Sequence, residues 1–200
     1  MSKKLRVNGI LLAAGASKRF GGDKLTVTLE SGKTIGVQSY ETLVRIIPKT
    51  TVVIRSKDHK TERMFLNVGA KVTYCAKASE GLSQSLIAGI KASVNCDAWI
   101  VALADMPFVS YKTIVLIRNK LLNGSPLSIP VYNGKLGNPV GISKVFKPQI
   151  LKLTGDKGAR NLIQERATER DMILTDDGGI MTDIDTEVDY KRLKKCGLKP

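Results

Sequence analysis

The sequence predicts an α/β fold: a doubly wound, mostly parallel sheet carrying a small antiparallel element. Three observations point there. Short β-branched and apolar runs alternate with segments of helical period, the signature of successive β-α-β units. Asn133-Gly134, lying between residues 127–132 and 139–143, marks a hairpin whose sense differs from that of the parallel strands. Two hundred residues, 42% hydrophobic and 25% charged, suffice for a single domain spanning residues 1–200.

Taken in order, residues 6–13 read as a first buried strand leading to Gly15. In residues 36–47, Val37, Tyr40, Leu43, Val44 and Ile47 follow the spacing of an amphipathic helix, which Pro48 stops. Residues 51–55 and 71–74 read as the second and third strands. Leu82, Leu86 and Ile90 share one helix face, and residues 98–104 supply the next strand. Ser110 is a cap for a helix running to about Leu122, closed by Asn123-Gly124. After the hairpin come two short helices near residues 145–153 and 159–165, a late strand at 171–174 and a terminal helix beyond Asp185. Residues 57–67 carry no readable pattern.

Composition narrows the function classes. The longest apolar runs, residues 10–14 and 98–104, fall far short of the roughly 20 residues that span a bilayer. No signal-peptide pattern opens the chain, so no membrane role and a cytoplasmic location are expected. Cys75, Cys96 and Cys196 are odd in number and widely spaced, and His59 is the only histidine. That weighs against a zinc site, a disulfide framework and a histidine-based triad. The net charge of +14 invites a nucleic-acid partner. The basic residues are dispersed, however, apart from Lys191, Arg192, Lys194 and Lys195, and no nucleic-acid-binding motif accompanies them. A lysine-rich surface that draws in anionic nucleotides is the expected reading, without a specific nucleic-acid partner.

The chemistry concentrates just after the strands, where doubly wound sheets bind their ligands. Directly after the first strand runs Leu12-Ala13-Ala14-Gly15-Ala16-Ser17-Lys18-Arg19-Phe20-Gly21-Gly22-Asp23-Lys24. Its glycines and small residues allow tight turns that present backbone N–H groups to an anion. Arg19 offers a forked donor for phosphate oxygens and Lys24 a compact charge. This is neither a Walker A loop nor a dinucleotide fingerprint: Gly32-Lys33-Thr34 lacks the earlier glycine, its place being held by Val27. The run resembles instead the LAAGxSxRxGxxK signature of the molybdenum-cofactor nucleotidyltransferases, within the broader nucleotidyltransferases of nucleotide-sugar and isoprenoid pathways. Every fixed position from Leu12 to Lys24 matches.

Asp105-Met106-Pro107 follows the strand at 98–104 at once, and a carboxylate at such a buried exit calls for a partner. Magnesium, which takes one or two carboxylates together with substrate phosphates, is the natural one. The resemblance implies the same, matching residues 102–107 to a metal-binding strand end. Downstream, Asp183 and Asp185 alternate onto one face of an extended segment. The resemblance implies Asp185 as the better second metal ligand and Asp183 as the next, while either residue could instead cap the helix that follows.

Further segments gain meaning from the same resemblance. Gly81 and Ser85, in Gly81-Leu82-Ser83-Gln84-Ser85, are implied to face the base or ribose, together with Leu12, Ala13, Ala14 and Gly15. Ala14, where GTP-using relatives tend to have glycine, favours CTP. Asn138 and Pro139, in Gly137-Asn138-Pro139-Val140-Gly141, are implied to face the acceptor, as are Asp156, Gly158 and Arg160. Asn138 stands where many members have histidine. The implied fold is Rossmann-like, of the nucleotide-diphospho-sugar transferase type. The implied reaction moves CMP from CTP, with Mg2+, to a phosphorylated small-molecule acceptor, foremost molybdopterin or its metal-bearing form. The acceptor phosphate, with a second pKa near 6, is already ionised and needs no general base. Arg19 and Lys24 would balance charge on the leaving pyrophosphate. The alternatives are GTP as donor, a sugar, polyol or phospholactate-like acceptor, or a cofactor-binding chaperone. A molybdoenzyme or chaperone is an accompanying partner to be expected.

Overall fold

The structure, a computed structural model, describes residues 5–17, 20–156, 158–186 and 188–190. Arg19 and the basic run from Lys191 therefore lie outside the described residues. Eight strands form one sheet: β1 (Val7–Ala13), β2 (Thr50–Arg55), β3 (Lys71–Cys75), β4 (Ala98–Leu103), β5 (Leu127–Tyr132), β6 (Lys135–Leu136), β7 (Val140–Ser143) and β8 (Arg170–Leu174). Their order is β3-β2-β1-β4-β7-β5-β6, with β8 on β5. The pairs β1–β2, β2–β3, β1–β4 and β5–β8 are parallel, while β7 and β6 supply the antiparallel pairs.

Helices α1 (Ile35–Val44), α2 (His59–Leu66), α3 (Leu82–Ala92), α4 (Tyr111–Leu122), α5 (Lys147–Ile150) and α6 (Arg160–Glu165) cover the sheet. Alternation along β1 divides the core in two. Leu11 and Ala13 join Leu43 of α1, Phe65 of α2 and Ile117 of α4 on one face. Ile10 and Leu12 join Leu86 and Ile90 of α3, Ile150 of α5 and Leu162 of α6 on the other. The central strands are buried on both faces, which is why they read as unbroken apolar runs.

Most expected elements fall within a residue or two of their places; α1 ends at Val44 and α5 at Ile150, each three residues early. Ser110 caps α4 through its side chain, which accepts from Lys112 N. Asn133-Gly134 turns β5 into the two-residue β6, and β7 then pairs with both β5 and β4. Sequence reasoning missed β6, which takes the place beside the Asn133-Gly134 turn expected of residues 139–143, and helix α2, which lies in the stretch without a readable pattern. Asp58 caps it by accepting from Thr61 N, and Phe65, fully buried, anchors it.

The chain moves outward from β1 to β2 and β3, then returns to place β4 on the other side of β1. That reversal opens a crevice beyond the carboxyl ends of β1 and β4, the usual position for a ligand in an open α/β sheet.

Candidate active site

Two chain segments meet at this crevice because the sheet ends there. The loop after β1 runs to Lys24, and Asp105 sits two residues beyond β4. A third arrives late in the sequence: Ile184 N donates to the Asp105 carbonyl oxygen at 3.0 Å, and the Ile184 side chain is fully buried. This anchor holds Asp183 and Asp185 beside β4. Lys24 is nearly buried, which for a lysine demands charged partners. It has two: Nζ donates to Asp105 Oδ2 at 2.7 Å and to Asp185 Oδ1 at 2.8 Å. Burial, the largest single influence on Lys24, pulls its pKa down. The Asp105 charge and the hydrogen bonds to both carboxylates outweigh it and hold the ammonium above its ordinary range. Expected to face the leaving group, Lys24 thus bridges the two aspartates read as metal ligands.

Asp183 stands at the mouth of the neighbouring cleft. Burial of its surroundings raises its pKa, and repulsion from Asp185 and Asp105 adds to the rise. At the start of the next helix Thr186 and Asp189 cap reciprocally, Thr186 N donating to Asp189 Oδ2 at 2.9 Å and Asp189 N to Thr186 Oγ1 at 3.1 Å.

The donor set fits a hard divalent cation. Two carboxylates lie within hydrogen-bond reach of Lys24 Nζ, and Asp183 feels the charge of both, so acidic oxygens gather at the crevice. Among the described residues no group of three acidic, histidine or cysteine side chains could hold an ion alone. Magnesium, which keeps waters and draws on substrate phosphates, does not require one.

Beside this constellation, on the α3 face, lies a cleft of about 680 Å³. Leu12, Asn138, Asp156, Arg160 and Asp183 all line it, so residues read from four separate segments converge. Leu82, Leu86, Val101, Leu103 and Ile129 give it apolar walls beside these polar groups, and Gln164 adds a polar group that sequence reasoning did not find. Pro139 is buried beside Asn138 and lines a small void on the other face of the sheet.

Gly81 and Ser85 take different positions. Ser85 is buried within α3, and a Cβ on Gly81 would meet the Gly155 backbone at 2.5 Å and Asp156 Oδ1 at 2.6 Å. Ser83 donates from its N to Gly155 O and from its hydroxyl to Thr154 O, both at 3.1 Å. A Cβ on Gly158 would likewise meet Leu82 Cδ2 at 2.9 Å. The start of α3 is thus occupied by the loop at residues 154–158, and Leu82 and Leu86 are the α3 residues that meet the cleft.

Residues 9–170 match the MobA-like NTP transferase domain, and the chain belongs to that family. It is 28% identical to the purine catabolism protein PucB of Bacillus subtilis, over 94% of this chain and 96% of that protein. It is 26% identical to the nicotine blue oxidoreductase of Paenarthrobacter nicotinovorans, over the same shares. Among solved structures, Rv0371c of Mycobacterium tuberculosis superposes with a TM-score of 0.86 at 20% identity, covering 96% of this chain and 99% of that one. A manganese complex of the same protein superposes at 0.79, with 20% identity over 95% and 98%. These likenesses agree with the Rossmann-like nucleotidyltransferase fold.

Proposed function

We propose that this chain transfers CMP from CTP to a phosphorylated small-molecule acceptor, foremost molybdopterin, and releases pyrophosphate. One observation carries the reading: Lys24, Asp105 and Asp185 form a charged constellation at the β1–β4 crevice, beside a roomy cleft lined by both apolar and polar groups. The acceptor phosphate oxygen attacks the α-phosphorus of the nucleotide; a new O–P bond forms and the bond to the β-phosphate oxygen breaks. Arg160 and Asn138 at the cleft would orient the acceptor, and the mix of apolar walls and polar groups suits a heteroaromatic ligand bearing a phosphate. Lys24 would donate to oxygens that gain charge, while its grip on both aspartates fixes the spacing of the site.

Asp105 and Asp185, with Asp183 adjoining, would hold Mg2+. When bound, it would screen the phosphate charges and polarise the α-phosphoryl group. The manganese complex of the Mycobacterium protein supports a divalent ion in this fold. Ala14, buried at the strand exit, supports CTP as donor.

The test is pyrophosphate release from each of the four nucleoside triphosphates with magnesium and molybdopterin. Release with CTP, lost in Asp105→Ala, is the expected result. Release with GTP alone would reassign the base, and nucleotide binding without release would point to another acceptor.

A further inference from the structure

The loop after β1 is framed from outside by residues that the family signature does not include. Parallel pairing sets Ala13 opposite Ile54, so Arg55 stands level with Ala14, where the chain leaves the sheet. Arg55 Nη2 donates to the Gly15 carbonyl oxygen at 2.8 Å. At the other end of the loop, Lys60 Nζ lies 3.1 Å from Asp23 Oδ2. Both partners come from the β2–α2 segment.

A Cβ at Gly15 would meet nothing within 4 Å, so the space beside its Cα is open. Glycine tolerates more backbone conformations than other residues, so a hydrogen bond to its carbonyl restrains a peptide that is intrinsically permissive. In a trans peptide the carbonyl and the following N–H point in opposite directions. The Ala16 N–H therefore points away from the Arg55 guanidinium that holds Gly15 O. In the sheet, β1 lies between β2, which carries Arg55, and β4, which leads to Asp105.

We propose that Arg55 is a positioning residue that latches the Gly15–Ala16 peptide so that the loop presents its backbone N–H toward the phosphates of a bound nucleotide. The latch rests on the nucleotidyltransferase reading for its purpose, but not for its existence. Lys60 is a weaker, solvent-exposed tie at the far end of the loop, since such ion pairs contribute little.

The test compares wild type, Arg55→Ala and Arg55→Lys by amide hydrogen exchange over residues 14–17 without ligand, and by CTP-Mg titration and pyrophosphate release. Arg55 is partly exposed, so the variants should melt near wild type. Faster exchange in Arg55→Ala is expected, with CTP bound about tenfold more weakly, kcat changed much less than KM, and partial recovery in Arg55→Lys. Unchanged exchange would overturn the latch, even if nucleotide affinity fell, because Arg55 would then be touching phosphate directly. Unchanged affinity with faster exchange would overturn its role in positioning. Failure of wild type to bind any nucleotide would sink the functional reading alone, and the exchange data would still decide whether the latch exists.

Discussion

Lys24 concentrates the site's energetics in a single side chain. Its removal would take from Asp105 and Asp185 the ammonium that bridges them. Breaking such a buried pair costs about 3 kcal/mol, and Lys24→Ala should show that loss in a denaturant melt. Pyrophosphate release should fall at least about 100-fold in the same variant, the scale of losing a charged donor at a reacting phosphate. The pH dependence follows from the raised pKa. The Lys24 contribution is complete below the ordinary lysine value of 10.5 and disappears only as pH rises through the higher folded-state value. The stability gap between wild type and Lys24→Ala should therefore stay level across neutral pH.

Asp183 gives a second residue-scale test. Its folded-state pKa is also raised, by burial first and then by Asp185 and Asp105. Stability from this group is thus present at low pH and lost as pH rises through the raised value. In chelator, Asp183→Asn should melt higher than wild type at neutral pH, and the gap should close on acidification. A lower melting temperature at neutral pH would show that Asp183 is instead held by favourable partners.

At the scale of elements, the fit between α3 and the loop at residues 154–158 links the two halves of the cleft. Gly81 has φ near 113°, which side-chain-bearing residues rarely adopt, and its Cα lies against Gly155 and Asp156. Gly81→Ala should cost about 1–3 kcal/mol of strain and push the loop off α3. Because Asp156 and Arg160 sit on the displaced side, the KM for the acceptor should rise more than that for the nucleotide, as steady-state titration of each substrate would show. This contact was invisible in the sequence, where four strands and three α-helices lie between Gly81 and Gly155. The elements themselves were legible wherever period and punctuation agreed, as with Ser110 before α4 or Asn133-Gly134 after β5. Helix α2 was not, because its buried face is narrow: Thr61 and Phe65 are its only buried residues. Asp105 and Asp185 could be read from their motifs, but their meeting at Lys24 depends on Ile184 docking to β4, a packing event that no spacing reveals. Arg55 was missed for a similar reason, since its partner is a backbone carbonyl on the next strand's loop.

Across the whole molecule, 32 basic side chains outnumber 18 acidic ones, while Asp105, Asp183 and Asp185 gather at the crevice. A positive envelope should speed encounter with a nucleoside triphosphate and weaken as salt shortens the screening length. Raising sodium chloride from 50 to 500 mM should increase the KM for nucleotide several-fold and leave kcat nearly constant. A salt-insensitive KM would mean that the surface charge serves something other than the substrate. No helix among the described residues is long and apolar enough to cross a membrane.

The most direct measurement is pyrophosphate release by wild type and Asp105→Ala, with CTP, magnesium and molybdopterin. Steady release by wild type and loss of at least 100-fold in the variant (roughly the effect of removing a metal-binding carboxylate) is the predicted result. Equal rates in the two proteins, or no nucleotide bound by either, would contradict the account.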